Sequence, residues 1–276
     1  MNAIKMFLGF NDTRTPEGSY SWQHLTFVTA LMLIMIALAV FFGLKYKRTD
    51  EKQKTKVLMI AAILIDCFEI FKLVVMYLRS PEPMWWSTEL PLFLCSIQLI
   101  TIPLAAFTKG KIKEAALDFV FIFGILGAVL GTYGAAQNYA CYPVLSMDNV
   151  VSGITHSISG FSSLYIAISG LASMKKKNIF ITFSILFAFC AAALIANRAL
   201  DYNYMFLRRG DGTPYDIVYN LVNGNKIIYP AMVILLFMLY IAAFYLVFFL
   251  IKKKKAAKEN SNVADEVIEE AEKAEV

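Results

Sequence analysis

Polar side chains that could take part in nucleophilic or acid–base chemistry occur at a few places inside otherwise apolar stretches of this sequence. A cysteine thiolate is a strong nucleophile, and a histidine can accept the thiol proton and later return it to a leaving group. Cys95 in "ELPLFLCSIQ" and His156 in "GITHSISG" are therefore the candidate catalytic residues. The other polar residues that stand out in or beside these stretches are His24, Asp66, Glu69, Lys72, Ser96, Gln98, Ser152, Ser159, Asn197, Arg198, Asp201 and Asn203.

The elements that must position these residues are predicted to be membrane-spanning helices. The 276 residues are 58% apolar, with 22 Phe, 14 Tyr and 12 Met, which is above the apolar share of soluble domains. Several runs exceed the length of about 18 apolar residues that crosses a bilayer. The hydropathy pattern predicts an all-α bundle of seven transmembrane helices, at about 23–46, 57–79, 90–108, 115–135, 150–174, 178–200 and 227–251.

The basic residues predict how this bundle is oriented. Connectors on one side of the predicted membrane carry 16 Lys and Arg, and those on the other side carry six. Because basic loops stay in the cytoplasm, the N-terminus is predicted outside and the C-terminus inside. Residues 1–22 then form a polar extracytoplasmic leader, residues 23–251 form the transmembrane domain, and residues 252–276 form a basic, then acidic, cytoplasmic tail. The first apolar run is too long for the core of a cleavable signal peptide and lacks a small-residue cleavage site.

Depth in the predicted membrane relates Cys95 to His156. Both lie shortly after the outer end of their predicted helix, at roughly 8 and 9 Å by the helical rise, and most other membrane polar residues fall in the same outer half. A structural interpretation of each is also open. A membrane cysteine is commonly a packing residue, a histidine can bond a neighbouring carbonyl, and Glu69 with Lys72 can form an ion pair.

Several function classes do not fit the sequence. Its four cysteines form no CxxC pair, and two histidines cannot supply an ordinary catalytic zinc site, so neither a metal nor another cofactor is predicted. The basic residues lie in short clusters between apolar runs, which argues against nucleic-acid binding. A rhodopsin-like pigment is excluded because the last predicted helix has no lysine for a Schiff base.

Three segments together resemble one known family: "ELPLFLCSIQ", "GITHSISG" and "NRALDYNYMFLRRGDGTP". They are similar to the YwaF family of bacterial integral membrane proteins, which is related to the eukaryotic transmembrane protein 164. The resemblance implies a multi-pass protein of the bacterial plasma membrane. For the eukaryotic relative it implies acyl transfer between phospholipids through a cysteine thioester, with the cysteine at Cys95 and the assisting histidine at His156. One departure is Phe93, where the family usually has a histidine.

The remaining polar residues are predicted to bind the substrate, a membrane phospholipid. Asn197 or Asn203 would orient the imidazole or an ester carbonyl, and Arg198, Arg208 and Arg209 would bind a lipid phosphate. The predicted set of substrate-binding residues is His24, Glu69, Gln98, Asn197, Arg198 and Asn203. The alternative is a non-enzymatic transporter or small-molecule receptor, in which the same residues line a cavity and Glu69 is a proton or cation site.

Overall fold

The computed structural model describes residues 3–10, 12–172 and 174–274, and within them the secondary structure is helical, with no strand. In chain order the α-helices are α1 (Ala3–Phe7), α2 (Trp22–Tyr46), α3 (Glu51–Arg79), α4 (Gln98–Phe107), α5 (Gly110–Thr132), α6 (Ala136–Cys141), α7 (Met147–Ser169), α8 (Asn178–Ala199), α9 (Tyr215–Leu221) and α10 (Ile228–Ala274). Two 3₁₀ turns span Trp85–Thr88 and Tyr204–Phe206.

The prediction of an all-α membrane protein is confirmed. By length and apolar composition, four segments of the described chain are able to cross a membrane: Trp22–Tyr46, Gly110–Cys141, Asn178–Ala199 and Ile228–Lys254. Helices α3 and α7 have 29 and 23 residues but are more polar, and α4 has only ten residues. The count of seven crossings and the orientation of the termini therefore stay predictions.

The third predicted helix, 90–108, begins eight residues too early. Residues 89–97 are irregular, and α4 starts at Gln98. Pro91 disfavours a helical conformation for Leu90, the residue before it, and the segment after Pro91 follows a turn that the Ser96 side chain makes with Phe93. Cys95 accordingly lies on an irregular segment just before α4, and its depth cannot be derived from a helical rise.

Helix α7 is the centre of the first of two compact units, which extends to Val233; the second begins at Ile234. Helix α7 packs against α5, α2 and α3. It begins where the Ser146 side chain accepts a hydrogen bond from the Asn149 N–H at 3.3 Å, and it ends at Gly170, whose φ of 76° is left-handed. Both are common helix-terminating arrangements.

Small residues bring α5 and α7 close together. A methyl group at Gly124 would lie 2.7 Å from the Ser159 carbonyl oxygen and 2.8 Å from the Ser163 Cβ. A methyl at Gly160 would lie 2.7 Å from the Ala128 Cβ. Gly124 and Gly160 thus serve tight helix packing, since only glycine allows this approach.

The leader packs against one end of this unit. Phe7, Leu8 and Phe10 lie against a cluster that includes Val75 of α3 and Met147 of α7. Further along the leader, the Val144 N–H donates to the Glu17 carboxylate at 2.8 Å, and the Ser19 hydroxyl donates to the Ala136 carbonyl. The described residues of the leader, 3–10 and 12–22, thus pack as part of the fold.

Candidate functional site

The segment that carries Cys95 is held in a compact turn by Ser96. The Phe93 N–H donates to the Ser96 hydroxyl at 3.0 Å, and that hydroxyl donates to the Phe93 carbonyl at 3.1 Å. The Ile97 N–H also donates to the Phe93 carbonyl, at 2.9 Å. This turn places Cys95 immediately before the N-terminus of α4, where the positive end of the helix dipole favours an anionic sulfur.

His156 is oriented by its own helix. Its Nδ1 lies 2.7 Å from the Ser152 carbonyl oxygen, one turn earlier on α7. Because a carbonyl only accepts hydrogen bonds, we assign the proton of the neutral ring to Nδ1. The lone pair is then on Nε2, which can act as a base.

Glycine residues of α5 provide the space for both candidate catalytic side chains. A methyl at Gly131 would lie 1.8 Å from the His156 Cδ2 and 2.0 Å from its Nε2, so the ring occupies the place of a missing side chain. A methyl at Gly127 would lie 3.5 Å from the Cys95 Cα and 3.6 Å from its Cβ, which is an ordinary contact. These two glycines therefore line the site.

The Cys95 thiol and the His156 imidazole lie close to each other, beside Gly127 and Gly131 on successive turns of α5. Each acts electrostatically on the other, and the Cys95 sulfur also interacts with the backbone N–H of Ser96. Both side chains are half-buried. With Nδ1 committed to Ser152, the ring can offer a basic nitrogen to the thiol, which is the arrangement that nucleophilic catalysis by cysteine requires.

A buried ion cluster lies beside the pair. The Lys72 ammonium is 2.7 Å from a Glu69 carboxylate oxygen and 3.2 Å from one of Glu89, so the predicted Glu69–Lys72 pair is present. These side chains are 15–19% exposed, and the charge of Lys72 interacts electrostatically with His156. Since Glu89 begins the segment that leads to Cys95, the cluster joins that segment to α3.

His24 is fully buried at the start of α2 and stacks on Tyr139, with ring centroids 3.7 Å apart. The Tyr20 N–H donates to its Nδ1 at 3.0 Å, and its Nε2 lies 3.2 Å from the Thr132 carbonyl oxygen. Both ring nitrogens are thus engaged by backbone groups. A lipid would have to displace one of these bonds, so the predicted substrate-binding role stays a prediction.

Gln98 and Arg198 keep some hydrogen-bonding capacity. Gln98 is fully buried at the start of α4, its carbonyl oxygen accepts from the Thr101 hydroxyl at 3.0 Å, and its amide nitrogen has no hydrogen-bond partner among the described residues. Arg198 is exposed at the end of α8. In contrast, Arg208 pairs with Asp201 at 2.7 Å.

Asn197 and Asn203 hold the loop that follows α8. The Asn197 amide donates to the Tyr204 carbonyl at 3.0 Å, and its oxygen accepts from the Tyr204 N–H at 2.5 Å. The Asn203 amide donates to the Arg209 carbonyl and to Asp211, each at 2.8 Å, and its oxygen accepts from the Arg208 N–H. These amides shape the loop, and the structure does not bring them to His156.

Sequence reasoning missed Tyr204 and Asp118. Tyr204 is fully buried and contacts Phe93 in the Cys95 segment, with ring centroids 5.3 Å apart. Asp118 is fully buried near the start of α5, where its carboxylate accepts from the Met174 N–H at 2.9 Å and from the Asn178 amide at 2.8 Å. Asp118 therefore belongs with the polar residues that stand out inside apolar stretches. The string "ALDFV" already placed an acid inside an apolar run.

Two cavities of the described chain lie away from Cys95 and His156. A groove of about 410 Å³ runs along the apolar surface of α2, from Leu25 to Leu33. A polar cavity of about 320 Å³ lies among the ends of α3, α5 and α7 that are remote from Cys95. Within residues 3–10, 12–172 and 174–274, no three His, Cys, Asp or Glu side chains are grouped so that they could hold a metal ion.

The comparison with known proteins assigns the chain to a family. A model of the TMEM164 family matches residues 19–252, which is most of the sequence and includes Cys95, His156 and the loop after α8. No curated protein and no solved structure matches the chain. The chain belongs to the TMEM164 family.

Proposed function

We propose that this protein is a phospholipid acyltransferase in which Cys95 carries the acyl group as a thioester and His156 transfers protons. The observation that supports this most strongly is the proximity of the thiol to an imidazole whose Nδ1 is fixed by the Ser152 carbonyl, both side chains lying against glycines of α5. A thiol in a membrane needs such a base, because an apolar environment disfavours the thiolate.

The first half of the reaction forms the thioester. The Cys95 proton moves to Nε2 of His156, and the sulfur attacks the carbonyl carbon of a phospholipid ester. The tetrahedral intermediate collapses with cleavage of the carbon–oxygen ester bond, and the imidazolium protonates the departing lysolipid oxygen. In the second half, the hydroxyl of an acceptor lysolipid gives its proton to Nε2 and attacks the thioester carbonyl. The Cys95 thiolate leaves and recovers the proton.

Two further side chains have chemistry that suits a phospholipid. The unpartnered, buried Gln98 amide is a hydrogen-bond donor for an ester carbonyl or for the oxyanion formed from it. Arg198, exposed at the end of α8, offers a guanidinium to a phosphate at headgroup level. Since Arg208 and Arg209 are paired with Asp201 and Asp211, Arg198 is the better candidate.

The proposal includes the topology predicted from the sequence: seven membrane segments in the plasma membrane of a bacterium, with the N-terminus outside. Helices α3 and α7 exceed the roughly 20 residues that a crossing needs, and α4 would cross together with the irregular segment before it. Reporter fusions after Gly18 and after Lys254 test this, because they must lie on opposite sides of the membrane. Fusions on the same side would contradict an odd number of crossings.

The transporter or receptor alternative has less support from the geometry. It needs Glu69 as a proton or cation site, and Glu69 is already neutralised by Lys72 at 2.7 Å. The two functions differ in one observable, a covalent acyl group on Cys95.

Mass spectrometry of the intact purified protein tests the proposal. After incubation with phospholipids of varied headgroup, we expect an acyl adduct that hydroxylamine removes and that is absent from Cys95→Ser. Transfer of that acyl group to an added lysophospholipid would complete the cycle. If no adduct forms with any of the lipids while the protein remains folded, the acyltransferase proposal is wrong.

A further inference from the structure

Tyr204 connects the loop after α8 to the segment that leads to Cys95. The side chain is fully buried. Its hydroxyl donates to the Ser87 carbonyl and accepts from the Leu90 N–H at 3.3 Å, more than 110 residues away in sequence. Burial raises the pKa of Tyr204, so the hydroxyl remains protonated and able to donate around neutral pH.

The Tyr204 ring also contacts the Cys95 segment. Phe93, two residues before Cys95, lies 5.3 Å from Tyr204 and 5.8 Å from Phe206 by ring centroids. Tyr202 completes this aromatic group, 4.7 Å from Tyr204. The hydroxyl and the ring of Tyr204 therefore hold two points of the segment, one at residues 87–90 and one at Phe93.

The loop is built to fix the position of this tyrosine. The Asn197 side chain hydrogen-bonds both the N–H and the carbonyl of Tyr204, so both backbone groups of this residue are fixed. The next two residues, Met205 and Phe206, have φ angles of 54° and 56°, which residues other than glycine rarely adopt. Such a backbone persists only where surrounding contacts over-determine it, and it occurs preferentially beside functional sites.

We propose that Tyr204 is a positioning residue for Cys95, holding the segment from Ser87 to Phe93 so that the thiol stays against His156. Its relevance to catalysis depends on the proposed acyltransferase function. The positioning role itself does not depend on that function, because the reactivity of the Cys95 thiol can be measured without a lipid substrate.

The chain provides a matched pair of variants. Tyr204→Phe keeps the ring but leaves the Ser87 carbonyl and the Leu90 N–H without their partner. Tyr202→Phe removes a hydroxyl from the same aromatic group, but that hydroxyl does not hydrogen-bond Ser87 or Leu90 as the Tyr204 hydroxyl does. Alkylation by iodoacetamide, resolved by residue with mass spectrometry over pH 5–10, measures the thiolate of Cys95. Cys67 and Cys141, which are exposed, serve as internal references.

We expect Tyr204→Phe to slow the alkylation of Cys95 at neutral pH by up to about tenfold, the effect of losing one buried hydrogen bond. Its pH profile should shift toward that of His156→Gln, while Cys67 and Cys141 react at unchanged rates and Tyr202→Phe behaves like the unsubstituted protein. A Tyr204→Phe protein with the unsubstituted rate and pH profile would overturn the proposal, and so would an equal loss in Tyr202→Phe.

Unfolding is recognised separately, because Cys190 is only 1% exposed and becomes labelled when the bundle opens. If Tyr204→Phe unfolds, Phe93→Leu is scored by the same criteria, since it removes the ring contact and leaves the Tyr204 hydrogen bonds in place. A His156-dependent pH profile at Cys95 without any acyl adduct would refute the acyltransferase proposal and leave the positioning role of Tyr204 intact.

Discussion

Two polar clusters lie near opposite ends of α5, and they use their hydrogen bonds differently. In the first, which we call the Asp118 cluster, both carboxylate oxygens of Asp118 accept, one from the Met174 N–H and one from the Asn178 amide. In the second, the Cys95 cluster, His156 commits Nδ1 to a backbone carbonyl and presents its other side to a thiol.

The difference separates two reasons for placing a polar group inside a membrane protein. Asp118 joins α5 to the loop before α8 and to the first turn of α8, and its oxygens already serve that purpose. In the Cys95 cluster a base and a nucleophile are held by surrounding groups and left facing each other. Burial of a polar group therefore does not by itself indicate that the group is reactive. A better indication is whether its atoms can still form hydrogen bonds after their structural partners are counted.

The largest expected effect is at Gly131. Gly131→Ala places a methyl 1.8 Å from the His156 ring, which must move. Since a displacement of about 1 Å can cost about 100-fold in rate, we expect the rate of acyl-adduct formation at Cys95 to fall at least that far. Time-resolved mass spectrometry of the adduct measures it.

Gly127→Ala is the matched control on the same helix. Its methyl would meet Cys95 at 3.5 Å, an ordinary contact, so we expect little change in that rate. If the rate of adduct formation fell equally in the two variants, the effect of Gly131→Ala would come from adding any methyl group to α5. It would then not come from the contact with the His156 ring.

The Asp118 cluster should respond in stability and hardly at all in reactivity. Asp118→Ala leaves the buried Met174 N–H and the Asn178 amide without this acceptor, which costs about 1–3 kcal/mol. Asp118→Asn, which keeps one acceptor oxygen, should lose less. Thermal unfolding in detergent measures the stability, and the pH profile of Cys95 alkylation should be unchanged in the folded protein. A shifted profile would show that the Asp118 cluster influences the reactivity of Cys95, so the two clusters would not have separate roles.

The sequence was sufficient to predict the helical class, because that class depends on residue type and order. Apolar runs identified helices α2, α5, α8 and α10, and the resemblance to a family indicated Cys95 and His156. The boundary of α4 was missed because the apolar period continues through Pro91, and the backbone there follows the turn that Ser96 makes with Phe93.

The roles of Asn197 and Gly131 could not be predicted for a different reason. Both depend on contacts between elements far apart in sequence: Asn197 holds Tyr204, which reaches Ser87, and Gly131 makes room for a ring on another helix. Residue type and spacing within one helix contain no information about such a partner. A polar residue at the end of a helix therefore fitted a ligand role and a loop-holding role equally well.

A smaller effect is expected at Glu89, where the ion cluster meets the Cys95 segment. Glu89→Gln weakens the 3.2 Å contact with Lys72 and leaves the 2.7 Å pair with Glu69. Because the energy of one partly exposed ion pair is small, we expect Cys95 alkylation to slow by about two- to fivefold. Glu82→Gln, an exposed glutamate of the same loop, is the control. A loss as large as that of His156→Gln would place Glu89 within the reactive set.

The smallest effect is expected for an ion pair of the leader, which shows what such a contact contributes away from both clusters. The hydrogen bond from Arg14 lowers the pKa of Asp12, and Arg14 also donates to the Met6 carbonyl at 3.3 Å. A carboxylate with a lowered pKa stabilises the folded leader above its unfolded pKa of about 3.9, and this contribution is lost as the pH falls below that value. Hydrogen exchange of residues 12–20 should therefore accelerate between pH 5 and pH 3, after correction for the intrinsic rate. Asp12→Asn should exchange at the faster rate throughout, and a variant that kept the same pH dependence would show that the acid response does not come from Asp12.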